Sequence, residues 1–413
     1  MPSSLVSSPV TASMTGKASL QMLPPELKSL LLMNVDIDSL PAIAKTCRAF
    51  YETYRNQRGP ITYSITSNAL GGVLPLAIAS YAASGTAWRA QWPLPSGDVL
   101  MKQVHEFGRK YLDRTKEDPP IRKHEFSFAI ASEMIAFHRI VEEWTPRYIG
   151  WAMDKAYRDL EEQSSPGAPT VTEVTRVQGA LYAIQICREL LPFEIHQDGV
   201  RDKPFELLWH YFAPWENTLA WNIVEFLYEI IGEKYPDDED LADHVIHDLI
   251  DDLAARWLSK YGIRGLANLG DDDYIRSSFK GLADDCLERP FRSECFCSDL
   301  VGCSWLKLAG GDIKIRSLDI DHIVARYAQE ENGARDYWFF CLVDDLECFR
   351  DTRGLPGEAH VIAVWWDLPR INAAITGVLP SMEKMQAMTK NNEYDASHFT
   401  LETDTDYYQE LGF

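Results

Sequence analysis

Four cysteines in the C-terminal half of the chain are spaced closely enough to raise the question of a metal site. Cys286, Cys295, Cys297 and Cys303 fall within 18 residues, and His322 follows. Structural zinc takes four such ligands in a tetrahedron, usually with at least one pair separated by two to four residues. The closest pair here has a single intervening residue. Because free cysteine also packs as a small hydrophobic side chain, we favour unliganded cysteines over zinc and predict no cofactor.

Two histidines on a helix predicted over residues 237–260 form a second candidate metal site. His244 and His247 are three residues apart, which places them on one face of that helix. The carboxylates near them belong to Asp243, Asp248, Asp251 and Asp252. Imidazole and carboxylate groups can together hold a transition metal. A solvated polar face explains the same residues without a ligand, and we favour it.

The region around these histidines is strongly acidic. Residues 233–288 contain 15 acids and 6 bases. A calcium-binding EF-hand loop needs a central glycine and a glutamate at its twelfth position, and neither Asp237 nor Asp271 begins such a loop. A basic peptide could dock on this surface, but an ordinary charged surface is the preferred interpretation.

No catalytic motif is found in the sequence. It contains no Gly-x-Ser-x-Gly nucleophile turn, no phosphate-binding loop, no Gly-x-Gly-x-x-Gly and no His-Glu-x-x-His. His105-Glu106 and His124-Glu125 both lack the second histidine that a zinc protease requires. Carboxylates brought together only by folding would leave no such pattern. The prediction is nevertheless a non-catalytic protein.

The most informative stretch is residues 23–60. It begins with Leu23 and a Pro24-Pro25 pair, followed by Glu26. Proline is tolerated in a first helical turn, and an acid there suits the positive end of the helix dipole. Leu27, Leu30, Leu31 and Met33 make the predicted helix apolar around most of its circumference.

A second helix is predicted to follow the break at residues 34–36. Asp38 or Ser39 is expected to cap it, with Pro41 in its first turn and Gly59-Pro60 at its end. Its apolar positions recur at helical spacing and are Leu40, Ile43, Ala44, Cys47, Phe50, Tyr51 and Tyr54. Two helices of this size cannot bury a core of their own. Either the rest of the chain or another protein must therefore cover their apolar surface.

This stretch resembles an F-box. The matching positions, without insertion, are Leu23, Glu26, Leu31, Leu32, Leu40, Ile43, Cys47 and Arg48. Ser39 stands where the family usually has an acid, and Phe50 where tryptophan is common. The resemblance implies binding to the Skp adaptor of a Skp–cullin ubiquitin ligase and recruitment of an unknown protein substrate by the region that follows. The adaptor-contact or hairpin-core residues that it implies are Leu23, Pro24, Leu27, Leu31, Leu40, Ile43 and Cys47.

An alternative interpretation remains open for this stretch. The two helices can be an ordinary amphipathic pair packed into their own domain. The protein would then be a helical scaffold or interaction protein with a vestigial F-box-like hairpin and no ligase role.

Composition limits the classes of partner. The chain of 413 residues has a net charge of −22 and a sequence pI of about 4.9, which argues against nucleic acid and anionic membranes. The longest apolar run, residues 70–83, is shorter than the about 18 residues that a membrane-spanning helix needs. We expect a buried helix there. Eight cysteines are too sparse for a disulfide framework, and the N-terminus lacks the pattern of a signal peptide, so the expected location is cytoplasmic or nuclear.

The remainder is predicted to be a mostly all-α body with possible minor β-structure near the C-terminus. Residues 1–20 are expected to be a disordered tail, 21–60 the F-box-like domain, 61–380 the helical body with a linker near 163–170, and 381–413 an acidic C-terminal tail. Thr170-x-x-Glu173 is a capping box that predicts a helix over 171–191.

Three blocks in the body are similar to segments of long F-box-headed proteins of filamentous fungi. The blocks contain Ala180-Leu181-Tyr182, Pro214-Trp215-Glu216 and Trp366-Asp367 with Arg370-Ile371. They carry no known chemistry. We interpret Tyr182, Trp215 and Trp366 as core aromatics.

Overall fold

The computed structural model describes residues 20–85, 97–114, 121–158, 167–191, 203–234, 246–288, 306–309, 312–315, 333–344, 363–374 and 379–391. The described part is mostly α-helical, which confirms the predicted fold class. The first helices are α1 Pro25–Met33, α2 Leu40–Lys45, α3 Arg48–Asn56, α4 Arg58–Leu70, α5 Leu74–Ser84, α6 Gly97–Tyr111, α7 Phe128–Arg158 and α8 Val171–Leu190. They are followed by α9 Lys203–Trp209, α10 Pro214–Gly232, α11 Ile246–Gly265, α12 Asp272–Glu288, α13 Ala334–Asp344, α14 Leu368–Ala374 and α15 Met382–Asn391.

The chain divides into two compact units. The N-terminal unit runs to Ala69 and also contains Arg122–Ser132. The second unit, here called the body, consists of Leu70–Ile121 and the chain from Glu133 onward. The N-terminal unit is therefore longer than the 21–60 segment that resembles an F-box.

Where two helices were predicted over residues 23–60, the N-terminal unit has three and the start of a fourth. The predicted second helix is interrupted at Cys47, whose backbone is extended (φ −156°, ψ 160°), so α2 ends and α3 begins there. The expected stop at Gly59-Pro60 is wrong. Both residues lie in the first turn of α4, where proline has no intrahelical hydrogen bond to lose.

Gly59 serves a close contact inside the N-terminal unit. A Cβ atom at this position would lie 2.7 Å from the Cα of His124. The neighbouring contacts join α4 to the same segment, because the Thr62 hydroxyl donates to the carbonyl of Phe126 at 3.3 Å and the rings of Tyr63 and Phe126 meet edge to face. The absence of a side chain at Gly59 therefore allows residues 122–126 to pack on α4.

The body is organised around α8. This helix is buried on nearly all sides from Ala180 to Cys187 and packs against α5, α10 and α11. A helix that is apolar around its whole circumference is expected at the centre of a helical body. Burial of α5, which carries Ala77, Ile78 and Ala79 in the core, agrees with the buried helix expected over 70–83.

Local capping signals set the starts of two body helices, and the first of them, at Thr170, is the one predicted from the sequence. Thr170 Oγ1 accepts from the amide of Glu173 at 3.1 Å, and Glu173 Oε2 accepts from the amide of Thr170 at 2.9 Å. Pro214 occupies the first turn of α10, and Glu216 accepts from the amide of Ala213 at 2.8 Å. Tyr182, Trp215 and Trp366 are buried, as expected for core aromatics.

Other parts of the body decide between alternatives that the sequence leaves open. A proline inside a helix favours a break or a kink, and α7 continues through Pro146 to Arg158. The segments around Trp338 and Trp365, whose sequences suit strands or buried helical turns alike, form α13 and a short 3-10 helix, Ala363–Trp365. Among the described residues, an antiparallel pair of strands joins Leu306–Ala309 to Asp312–Ile315.

Length and composition alone would allow one described stretch, Arg58–Ser84, to cross a membrane. Its most apolar window has a mean hydropathy of 1.2, and half of that window is buried. Core helices of soluble proteins have the same properties, so this stretch is weak evidence for a membrane span.

Helix α11 contains a break that α8 stabilises. Gly262 has φ 62° and ψ −163°, a conformation open to glycine, and a Cβ there would lie 2.6 Å from Oε1 of Gln185. Arg188 donates through Nε to the carbonyl of Lys260 at 3.0 Å, and the amide of Arg264 donates to Gln185 Oε1 at 3.2 Å. Side chains of α8 thus bond backbone groups on both sides of the break.

Replacing Gly108 with alanine is expected to destabilise the body by about 1–3 kcal/mol. A Cβ at this position of α6 would lie 2.1 Å from the ring of Tyr211, which is held by a 2.7 Å hydrogen bond between its hydroxyl and Nδ1 of His105. Gly150→Ala is the matched control, because Gly150 is an exposed residue of α7 with no atom near its added Cβ. The control should gain about 0.5–1 kcal/mol through helix propensity. Urea unfolding would measure the loss of stability expected for Gly108→Ala and the gain expected for Gly150→Ala.

Candidate functional site: an exposed leucine face on the N-terminal unit

The first helix of the N-terminal unit presents large apolar side chains to solvent. Leu27, Leu30 and Leu31 are 46%, 56% and 43% exposed. They lie at positions i, i+3 and i+4 of α1 and so share one side of the helix; we call these three residues the leucine face. Leu20 and Met22, just before α1, are also exposed, as is Tyr51 on α3. Contiguous exposed apolar surface usually marks an interaction site.

The opposite side of α1 faces the interior and fixes the orientation of the helix. Leu32 has no exposed surface. The interior of the unit also contains Ile37, Leu40, Ala44, Phe50, Ile61 and Ile65. Since Leu31 and Leu32 are neighbours about 100° apart around the helix, burial of Leu32 turns Leu31 outward.

Hydrogen bonds hold the C-terminal end of α1 and the loop that follows it. Pro25 begins the helix, and Asn34 donates through Nδ2 to the carbonyl of Leu30 at 2.8 Å. In the loop, Asp36 Oδ1 accepts from the amide of Ser39 at 2.7 Å. This hydrogen bond lowers the pKa of Asp36. Asp36 therefore bonds the amide next to the start of α2, where the side chain of Ser39 makes no capping hydrogen bond.

The residues implied by the F-box resemblance divide between the surface and the interior. Pro24, Leu27 and Leu31 are exposed, and Leu40 is buried. Leu23, Ile43 and Cys47 are half-buried. Leu40 is thus a core residue, while Leu27 and Leu31 lie on the leucine face.

Leu30 belongs to the same face but was not among the expected contact residues. The i, i+3, i+4 spacing of Leu27, Leu30 and Leu31 was available in the sequence. The helix is apolar around most of its circumference. The sequence therefore gave no reason to place Leu32 on the opposite side.

The candidate metal ligands lie mostly outside the described residues. Cys295, Cys297, Cys303, His322 and His244 are among those not described. Cys286 and His247 lie in α12 and α11, but their side chains are not described either. Within the ranges that the structure does describe, no three His, Cys, Asp or Glu side chains are grouped so that they could hold a metal ion.

The body contains a polar cluster that joins the start of α8 to the segment that contains Asp367 and Arg370. Glu173, at the start of α8, has no exposed surface. Its carboxylate accepts from Arg370 at 2.8 Å and 2.9 Å and from the amide of Asp367 at 2.9 Å. Arg176 donates to Asp367 at 2.7 Å, and the hydroxyl of Thr170 donates to the same carboxylate. We call these five residues the polar clasp.

The polar clasp has a structural role. Its charges are paired with one another, and Glu173 is enclosed, so a substrate has no access to that carboxylate. The clasp holds the segment around Trp365 and Trp366, both fully buried, against the N-terminus of α8. The Trp-Asp and Arg-Ile block therefore has a packing role in this structure.

A buried histidine lies between α7 and α8. The ring of His138 is stacked on Tyr182, with Nδ1 3.2 Å from the Tyr182 hydroxyl. Burial lowers the pKa of His138, although Glu142, 3.8 Å from Nε2, acts in the opposite direction. Burial also raises the pKa of Tyr182. Both side chains are therefore neutral at pH 7 and pack in the core.

Comparison of the chain with protein-family models, with curated proteins and with solved structures found no match.

Proposed function

We propose that the N-terminal unit docks on the Skp adaptor of a cullin ubiquitin ligase and that the body binds the protein substrate. In this role the chain makes and breaks no bonds. The observation that carries the proposal is the exposed leucine face, which lies within the stretch that resembles an F-box. Burial of one leucine side chain contributes about 1.5–3 kcal/mol, so three of them can sustain a stable complex.

The arrangement of the unit favours docking over a purely structural role for these leucines. A helix pair that served only its own domain would turn its leucines inward. Here Leu32 and Leu40 are buried in the interior of the unit, while Leu27, Leu30 and Leu31 remain in contact with water. A partner that covers these three side chains would remove them from water and thereby stabilise the complex.

Binding of purified Skp adaptor to the full chain tests the proposal. Leu27→Ala/Leu31→Ala is expected to raise the Kd about 100-fold, since each truncation removes about 1.4 kcal/mol of apolar burial. Val99→Ala/Val171→Ala is the matched control, because it shortens two exposed apolar residues of the body. It should leave the Kd unchanged.

Two results would contradict the proposal. One is a wild-type chain that is not retained by the adaptor at micromolar concentration, which would favour a scaffold role. The other is equal weakening by the leucine variant and by the valine control. Isothermal calorimetry on folded, monodisperse protein distinguishes these results.

A further inference from the structure

The charge of the N-terminal unit is locally opposite to that of the chain. Residues 45–58 contain four bases and one acid, whereas the whole chain has 40 bases and 62 acids. The bases are Lys45, Arg48, Arg55 and Arg58, and all four are exposed. An acidic protein that concentrates exposed bases in so short a segment presents a distinct electrostatic surface.

Helix α3 arranges two of these bases around an exposed aromatic ring. Arg48 and Arg55 lie three residues before and four residues after Tyr51, so the three side chains share one face of the helix. Tyr51 is 50% exposed, while its neighbour Phe50 is buried and fixes the rotation of α3. We call Arg48, Tyr51 and Arg55 the basic stripe.

The acid on this face does not neutralise the stripe. Glu52 accepts from Nε of Arg48 at 2.7 Å, but the Arg48 side chain is 90% exposed. Ion pairs this exposed contribute little to stability and open readily. Arg48 can therefore exchange Glu52 for a carboxylate on another molecule at small cost.

We propose that the basic stripe binds a carboxylate-rich edge of the protein that covers the leucine face. This inference depends on the proposed function and adds the chemistry of the partner: an apolar groove for α1, bordered by Asp and Glu side chains that meet α3. Since α1 and α3 pack against each other in one unit, a single partner can contact both. A chain with a net charge of −22 would repel such an acidic edge, and the stripe supplies the local attraction.

A protein partner fits these observations better than a nucleic acid. Arginines around a tyrosine can also hold single-stranded nucleic acid. Nucleic acid offers no apolar cover for the three exposed leucines, however, and the chain as a whole repels polyanions. Binding of labelled single-stranded DNA is therefore included in the test as a contrary outcome.

The test is the association rate of purified Skp adaptor with the full-length Arg48→Glu/Arg55→Glu variant. At about 20 mM salt this rate should fall about tenfold relative to wild type, and the difference should shrink at 500 mM salt, because screening removes long-range attraction. Arg276→Glu/Lys280→Glu is the matched control. It makes the same change in net charge with two exposed bases on α12 of the body, and its association rate should fall by much less.

The outcomes separate this inference from the proposed function. If the adaptor binds wild type and the leucine variant weakens binding, but both charge reversals have equal effects, the stripe is not a contact and only this inference fails. If wild type does not bind the adaptor, both fail. Capture of a 20-nucleotide oligo(dT) by wild type, lost in the Arg48→Glu/Arg55→Glu variant and competing with the adaptor, would also overturn it. A thermal unfolding midpoint unchanged by the substitutions shows that each variant is folded.

Discussion

Replacing Glu173 with alanine is expected to lower the free energy of unfolding of the body by about 3–5 kcal/mol. Removing one partner of a buried ion pair leaves the other charge enclosed without its counter-ion, which is the costly case for buried charges. The remaining partner is Arg370, whose side chain is 11% exposed and also donates to the uncharged carbonyl groups of Gly167 and Ala168. The same substitution also removes the acceptor for the amide of Thr170 at the start of α8.

An exposed pair of similar geometry provides the control. Glu143 and Arg147 on α7 are 2.7 Å apart, with side chains 55% and 53% exposed. Glu143→Ala should change stability by no more than about 1 kcal/mol, because surface ion pairs contribute little. Urea unfolding followed by far-UV circular dichroism would compare the two variants.

A double-mutant cycle with Arg370→Met separates the ion pair from the helix cap. If Glu173 and Arg370 depend on each other, the double variant should lose less stability than the sum of the two single variants. A strictly additive result, or a Glu173→Ala cost no larger than that of Glu143→Ala, would contradict the role assigned to the polar clasp.

The polar clasp combines a local feature that the sequence predicts with long-range contacts that it does not predict. The capping box at Thr170 and Glu173 and the bounds of α8 follow from residues within one helical turn, so the sequence predicted them. Asp367 and Arg370 lie almost 200 residues further along the chain, and no local pattern links them to Glu173. Only folding reveals that one carboxylate caps a helix and also pairs with a distant arginine.

The N-terminal unit likewise has features that the sequence predicts and features that depend on packing. Spacing identified the apolar stretch and the resemblance to an F-box, but Gly59 and Pro60 read as a stop signal. Glycine and proline favour helix ends and helix starts alike. The contact of Gly59 with His124, which favours a helix start here, is not visible in the sequence. The inward side of α1 depends in the same way on packing within the unit.

Leu31 and Leu32 allow a direct test of which side of α1 is free. Leu32→Ala is expected to destabilise the N-terminal unit by about 2–5 kcal/mol, because it removes a fully buried side chain and leaves a cavity. Leu31→Ala, the same change one residue earlier, should alter stability by no more than about 0.5 kcal/mol. Thermal unfolding of the two variants would show the contrast.

The same pair should respond in the opposite order to the adaptor. Leu31→Ala is expected to raise the Kd about tenfold by removing about 1.4 kcal/mol of interfacial burial. At a temperature where Leu32→Ala is still folded, that variant should bind nearly as wild type does, since its side chain makes no contact at the surface. If both variants lose stability equally, the leucine face is not free in solution. An outward Leu31 is what allows a foreign surface to bind α1, so the adaptor proposal depends on this contrast.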